Sequence, residues 1–164
     1  GLHERMMSVY PTSKGFGYLI LENTENIIHW GVVNHKEDKI LEKRYLSLLD
    51  KYSIDRVITE RFGSKTKRKF RLVMRSLSFR SYARQRKLKV ASYSKEKVDL
   101  VFSSFGAFTK DSRASAVASV LKPLAKILPP KRRLWESESY IMPVFECATL
   151  SLTHLYFNTP HLEE

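Results

Sequence analysis

Three short apolar runs open the chain, at residues 6–10, 18–21 and 27–33. The gaps between them hold turn formers: Pro11, Gly15 and Gly17 in the first, the polar residues 22–26 in the second. Runs this short and this closely spaced predict an antiparallel three-stranded meander. Ile40, Leu41, Tyr45, Leu48 and Leu49 then recur at helical spacing and predict a helix over 39–52. Residues 55–60, with the β-branched run Val57-Ile58-Thr59 closing on Glu60, form a fourth strand. Phe70, Val73, Met74 and Leu77 again fall at helical spacing, so the segment after that strand reads as a helix with this face in the core. Residues 90–93 make a fifth strand. Ser94 is placed to cap a helix through 102, and Thr109 or Asp111 begins another that contains Ala114, Val117, Ala118, Leu121 and Leu124. Pro129 and Pro130 forbid helix, which leaves 128–133 as an exposed basic loop. An apolar segment over 139–157 is the last helix. Strands first, then strands alternating with helices, predict a mixed α/β sheet with helices on its faces. The 164 residues fit one domain, 1–164.

Charge changes the picture. Of the 29 Lys and Arg residues, 12 lie in residues 61–89, a stretch without Asp or Glu. The other seventeen equal the seventeen acids, so the whole net charge of +12 sits in one segment. Like charges at this density repel along a helix, and a polyanion that relieves the repulsion is the expected partner. DNA, RNA and an acidic protein all satisfy that requirement. The lone Cys147 excludes an intramolecular disulfide and a cysteine-cluster zinc site. No apolar run approaches the ~20 residues of a membrane span, and the polar start carries no secretory pattern. A reducing, cytoplasmic location is expected, nucleoid-associated if the source is bacterial.

The element order resembles the ribonuclease H-like fold, a mixed five-stranded sheet with helices on both faces. Its details are similar to the RuvC Holliday-junction resolvase family. Residues 9–18, Val-Tyr-Pro-Thr-Ser-Lys-Gly-Phe-Gly-Tyr, are similar to the family's opening, where a strand aspartate precedes Pro-Gly-Ser and then Gly-Tyr. Ile58-Thr59-Glu60 is similar to its fourth-strand Ile-Glu. Residues 146–154, Glu-Cys-Ala-Thr-Leu-Ser-Leu-Thr-His, are similar to its last helix, and Lys110 matches a basic family position. The resemblance implies an Mg²⁺- or Mn²⁺-dependent endonuclease for branched or structured DNA. Two such ions lie ~3.5–4 Å apart and take oxygen ligands, so the family supplies four carboxylates. Only Glu60 and Glu146 match. Tyr10 stands where the first-strand aspartate is expected, Pro143 where another acid is, and Asp99 where the family often has lysine.

Three readings follow. In the first, Glu60 and Glu146 hold Mg²⁺ or Mn²⁺, Lys110 meets phosphate, and Lys65, Lys67, Arg68, Arg71, Arg75, Lys131, Arg132 and Arg133 clamp the nucleic-acid backbone. In the second, the chain keeps the fold and the nucleic acid but not the metals. In the third, it is a basic component of a ribonucleoprotein. Glu22 and Glu138 are the candidates for acids that have moved, although both read more naturally as solvated turn residues. Tyr10 reads as a core or rim aromatic, and His29 and His154 as packed histidines. The family acts as dimers through the helix after the fourth strand. That helix is the basic one here, which leaves a homodimer or a subunit of a larger complex open.

Overall fold

The computed structural model describes residues 4–159. Five strands form one sheet in the order β3-β2-β1-β4-β5. They are β1 (Met6–Pro11), β2 (Gly15–Asn23), β3 (Asn26–Asn34), β4 (Arg56–Arg61) and β5 (Lys89–Ser94). The meander β1-β2-β3 is antiparallel, with Tyr10 opposite Gly17 and Tyr18 opposite Gly31. β4 runs parallel to both β1 and β5, with Ser8 beside Ile58 and Glu60 beside Tyr93.

Strand side chains alternate between faces, and each face carries its own core. Met7, Val9, Ile20 and Val57 meet Leu41, Tyr45 and Leu49 of α1 (Asp38–Lys51) and Phe79 and Ala83 of α2 (Phe70–Gln85). There the buried Tyr45 hydroxyl donates to the Phe79 carbonyl at 2.7 Å. Met6, Leu19, Leu21 and Ile58 point the other way, toward α3 (Lys95–Ser103), α4 (Lys110–Val120) and α5 (Met142–Asn158). Ser8 and Ser151 share a buried 2.6 Å hydrogen bond that ties β1 to α5. α3 starts where its cap was expected, the Ser94 hydroxyl accepting from the Lys97 amide. α4 starts at Thr109 with a reciprocal capping box to Ser112. Leu121 and Leu124 are fully buried, but they lie beyond α4. Pro123 cannot continue an α-helix, and the chain tightens into a 3-10 turn over Lys122–Ile127.

The face of α2 departs from the sequence reading. Phe70, Met74 and Leu77 are 77%, 44% and 44% exposed, and the residues buried against the sheet are Ser76, Phe79 and Ala83. Ser76 and Ala83 are small, so the helix approaches the strands closely, and the larger apolar stripe is turned to solvent. The helix is also shorter than the basic segment, residues 62–69 forming a loop before it.

α5 reaches the sheet equally closely. Its first turn holds Pro143, and a Cβ added at Gly17 would lie 2.6 Å from the Pro143 Cβ and 2.9 Å from its carbonyl carbon. Gly17→Ala is therefore expected to force strand and helix apart. The cost is about 1–3 kcal/mol, as for other overpacked sites, read as a lower urea midpoint with unchanged slope. An unchanged midpoint would mean that the start of α5 moves freely.

Candidate nucleic-acid interface

Parallel pairing of β1 with β4 sets Tyr10 and Glu60 at the same end of the sheet. Tyr10 packs on the α5 side, and α5 brings Glu146 to the same place. These three side chains, with Arg61, Lys65, Lys67, Arg68, Lys95, Asp99, Lys110 and Arg113, line one cleft. Glu60 and Glu146, 86 positions apart in sequence, thus meet in a cleft that also holds Glu96 and Asp99 and seven cations. Glu60 is not the exposed strand-end acid that its position allows. Burial raises its pKa, the Arg68 guanidinium opposes that rise, and the neighbouring Glu146 charge adds to it. Tyr10 is pushed well above the usual phenol range, first by burial and then by the charge of Glu146, so it stays neutral.

Arg68 is the centre of this arrangement. Its guanidinium donates to the Tyr10 hydroxyl and, at 3.3 Å, to the Pro11 carbonyl. It lies 4.7 Å from the Tyr10 ring centroid and 5.6 Å from that of Phe62. The arginine expected to hold DNA lines the cleft and supplies positive charge to the half-buried Glu60 carboxylate. Arg75 is withdrawn further. Its side chain is 9% exposed and donates to the Thr12 and Gly15 carbonyls, pinning the β1–β2 turn to α2. Arg71 remains exposed and meets Asp38 at 3.4 Å. Lys65 and Lys67 are exposed at the cleft rim, and Lys131 and Arg132 are exposed in the loop before α5. Arg133 is paired with Glu136 at 3.7 Å, and Lys110 forms an ion pair with Glu138.

In comparisons with known proteins, no family model and no curated protein matches the sequence. Solved structures do match. Thermus thermophilus RuvC superposes with a TM-score of 0.66 at 17% identity, over 93% of this chain and 94% of that one. T. thermophilus RuvC in complex with a Holliday junction substrate gives 0.65 at 17%, over 96% and 98%. The fowlpox virus Holliday junction resolvase gives 0.56 at 16%, over 93% and 99%. The fold is RuvC-like.

Within this RuvC-like sheet the two candidates for relocated acids separate. Glu22 sits at the opposite end, because Met6 and not Tyr10 pairs with Leu21. There it takes up Arg5 at 3.1 Å and the Asn26 amide. Glu138 stays at the cleft rim, held by Lys110. Asp99 faces Arg113 at 3.6 Å. His29 and His154 are packed against Tyr18 and Tyr93, with hydrogen bonds of 2.9 and 2.6 Å. Among the described residues no group of three or more His, Cys, Asp or Glu is placed to hold a metal ion. Glu60 and Glu146 meet beside a neutral phenol and a guanidinium, and Asp99 in the same cleft is taken up by Arg113, so the set does not fit a two-ion centre, which needs more free carboxylate charge. Arg61, Lys95 and Arg113 belong to the cleft but were not singled out in the sequence. For Lys95 a signal existed: it follows directly on a strand whose Ser94 is level with Arg61.

The raised pKa of Glu60 has a measurable consequence. A carboxyl whose pKa rises on folding destabilises the native state at every pH above the raised value. The deficit disappears as the pH falls toward its ordinary value of 4.5. Glu60→Gln is therefore expected to melt above the parent at neutral pH and level with it near that value. Equal melting at neutral pH would mean that Arg68 cancels the burial cost completely.

Proposed function

We propose that this chain is a binding protein for branched or structured DNA that uses the RuvC-like cleft without a two-metal centre. The observation that carries the reading is Arg68, stacked on Tyr10 beside Glu60, where a catalytic set would need a further acid. The cleft around it is rimmed by Lys65, Lys67, Lys95 and Lys110, which suit phosphates, and phosphate contacts position a nucleic acid without reading its sequence. The structural neighbours described as Holliday junction resolvases support junctions as the first substrates to try. The test is fluorescence polarisation with a four-way junction, a duplex of the same sequence, a single strand and an RNA duplex. Lys65→Ala with Lys67→Ala should weaken binding and flatten the salt slope by about one for each phosphate no longer engaged. Junction affinity no greater than that for a single acidic peptide would sink the proposal.

A second reading keeps the endonuclease, with Mg²⁺ or Mn²⁺ at Glu60 and Glu146. What favours it is the meeting of two carboxylates in one cleft, the charge of Glu146 adding to the rise in the pKa of Glu60. Junction cleavage by the parent that requires Mn²⁺ and is lost in Glu60→Gln would replace the first reading by this one.

A further inference from the structure

Residues 128–141 connect the 3-10 turn to α5, and their shape is unusual for a connecting loop. Arg133, Leu134, Trp135 and Glu136 form a closed turn. The Glu136 amide donates to the Arg133 carbonyl at 3.0 Å. The Glu136 carboxylate accepts from the Arg133 amide at 3.2 Å and pairs with its guanidinium. That guanidinium also lies 5.7 Å from the Trp135 ring centroid. Leu134 and Trp135 occupy the two corners and are 101% and 78% exposed.

An indole left in water forfeits the favourable burial of its apolar surface. A single exposed aromatic is ordinary. Here the indole is held outward by a turn with its own hydrogen bonds, directly after three consecutive cations. Lys131 and Arg132 have no ion-pair partner among the described residues, so their charge is available. The loop is also continuous with the cleft. Glu138 ties it to Lys110, and Arg132, Glu136 and Lys110 line one shared hollow.

We propose that this turn is a second contact for the same nucleic acid, in which Lys131 and Arg132 take phosphates and Trp135 stacks on an unpaired base. Every base offers a π face, and aromatic stacking beside a basic groove is how single strands are held without sequence preference. Bases inside a duplex are already stacked on each other, so the ligand must carry unpaired nucleotides: a flap, an open branch point or a single-stranded arm. The inference rests on the cleft being a nucleic-acid interface and narrows what it accepts.

The test uses the full chain and three probes: a blunt duplex, the same duplex with a short oligo-dT flap, and oligo-dT alone. The difference in intrinsic fluorescence between the parent and Trp135→Phe isolates Trp135 without disturbing Trp30. Flap and oligo-dT are expected to quench that difference signal, and the blunt duplex to leave it unchanged. Trp135→Ala is expected to lose about tenfold in flap affinity. Trp135→Phe should restore most of it, and both variants should keep the parent's blunt-duplex affinity and melting temperature. If all DNA forms bind with a steep salt dependence but the Trp135 signal and flap affinity do not change, the stacking interaction is overturned and the cleft reading stands. A signal that responds equally to blunt duplex overturns the preference for unpaired bases. If no nucleic acid binds, the cleft reading itself fails and takes this inference with it.

Discussion

Between about 50 and about 200 mM monovalent salt, affinity for duplex or branched DNA is expected to fall about a thousandfold. The size of the fall is set by which cations are free. Of the basic residues in 61–89, Arg68 and Arg75 donate to groups of the protein itself. Arg71, Arg86 and Lys89 meet Asp38, Asp50 and Glu4 at 3.2–3.4 Å. Arg61, Lys65, Lys67 and Lys95 at the cleft, with the loop cations Lys131 and Arg132, leave about six phosphates to be engaged. Six give a log–log slope near about −5 on duplex DNA. A polarisation titration at several salt concentrations measures it. A slope near zero removes the polyanion from the account, and one near about −10 would mean that the internally paired arginines turn outward on binding.

Tyr10→Asp alone is expected to create no metal site, whereas Tyr10→Asp with Arg68→Ala should bind Mn²⁺. In the single variant the new carboxylate arrives beside the Arg68 guanidinium and pairs with it. Removing Arg68 as well leaves the new carboxylate beside Glu60 and Glu146 without the guanidinium that packs on residue 10, a donor set that a hard divalent ion accepts. Binding to the folded state alone stabilises it by about 2.7 kcal/mol when the ion is at 100 times its dissociation constant. For a chain of this size that corresponds to a rise of roughly 5–10 °C in melting temperature. Calorimetry and Mn²⁺-dependent melting on the parent, the single and the double variant decide the matter. Tight Mn²⁺ binding by the parent, abolished by Glu60→Gln, would show that Arg68 does not occupy the role assigned to it.

The order of strands and helices was legible because each element carries a local signal: Ser94 and Thr109 as caps, Pro129 and Pro130 as breakers, β-branched runs at β4, while the break that Pro123 makes after α4 was passed over. Glu60, Glu146 and Lys110 were legible as a group only through the resemblance, since nothing local joins residues so far apart. The buried face of α2 was not legible. Phe70, Val73, Met74 and Leu77 form a better apolar stripe than Ser76, Phe79 and Ala83, and helical spacing alone favours the larger side chains. What decided the orientation was close approach to the sheet, which small residues permit and which is a property of the assembled fold. The internal arginines were hidden for a related reason. Arg75 is held by two backbone carbonyls, and backbone acceptors leave no trace in the residue types around them. Charge density located the basic segment but could not say which of its charges the protein consumes itself.

α5 packs against all five strands, and the cleft carboxylate Glu146 is carried on it. A chain synthesised as far as residue 141 already contains every residue of the sheet and the full basic segment, but on the face of Leu19, Leu21 and Ile58 only α3, α4 and the 3-10 turn are present and the helix that packs on every strand is missing. During that interval the molecule is a polycation with an open apolar surface. Such a species is drawn to nucleic acid and to other chains before it can distinguish between them. Docking of the last helix closes the core and completes the cleft in one step. The order of synthesis therefore makes affinity for polyanions precede the geometry that selects among them.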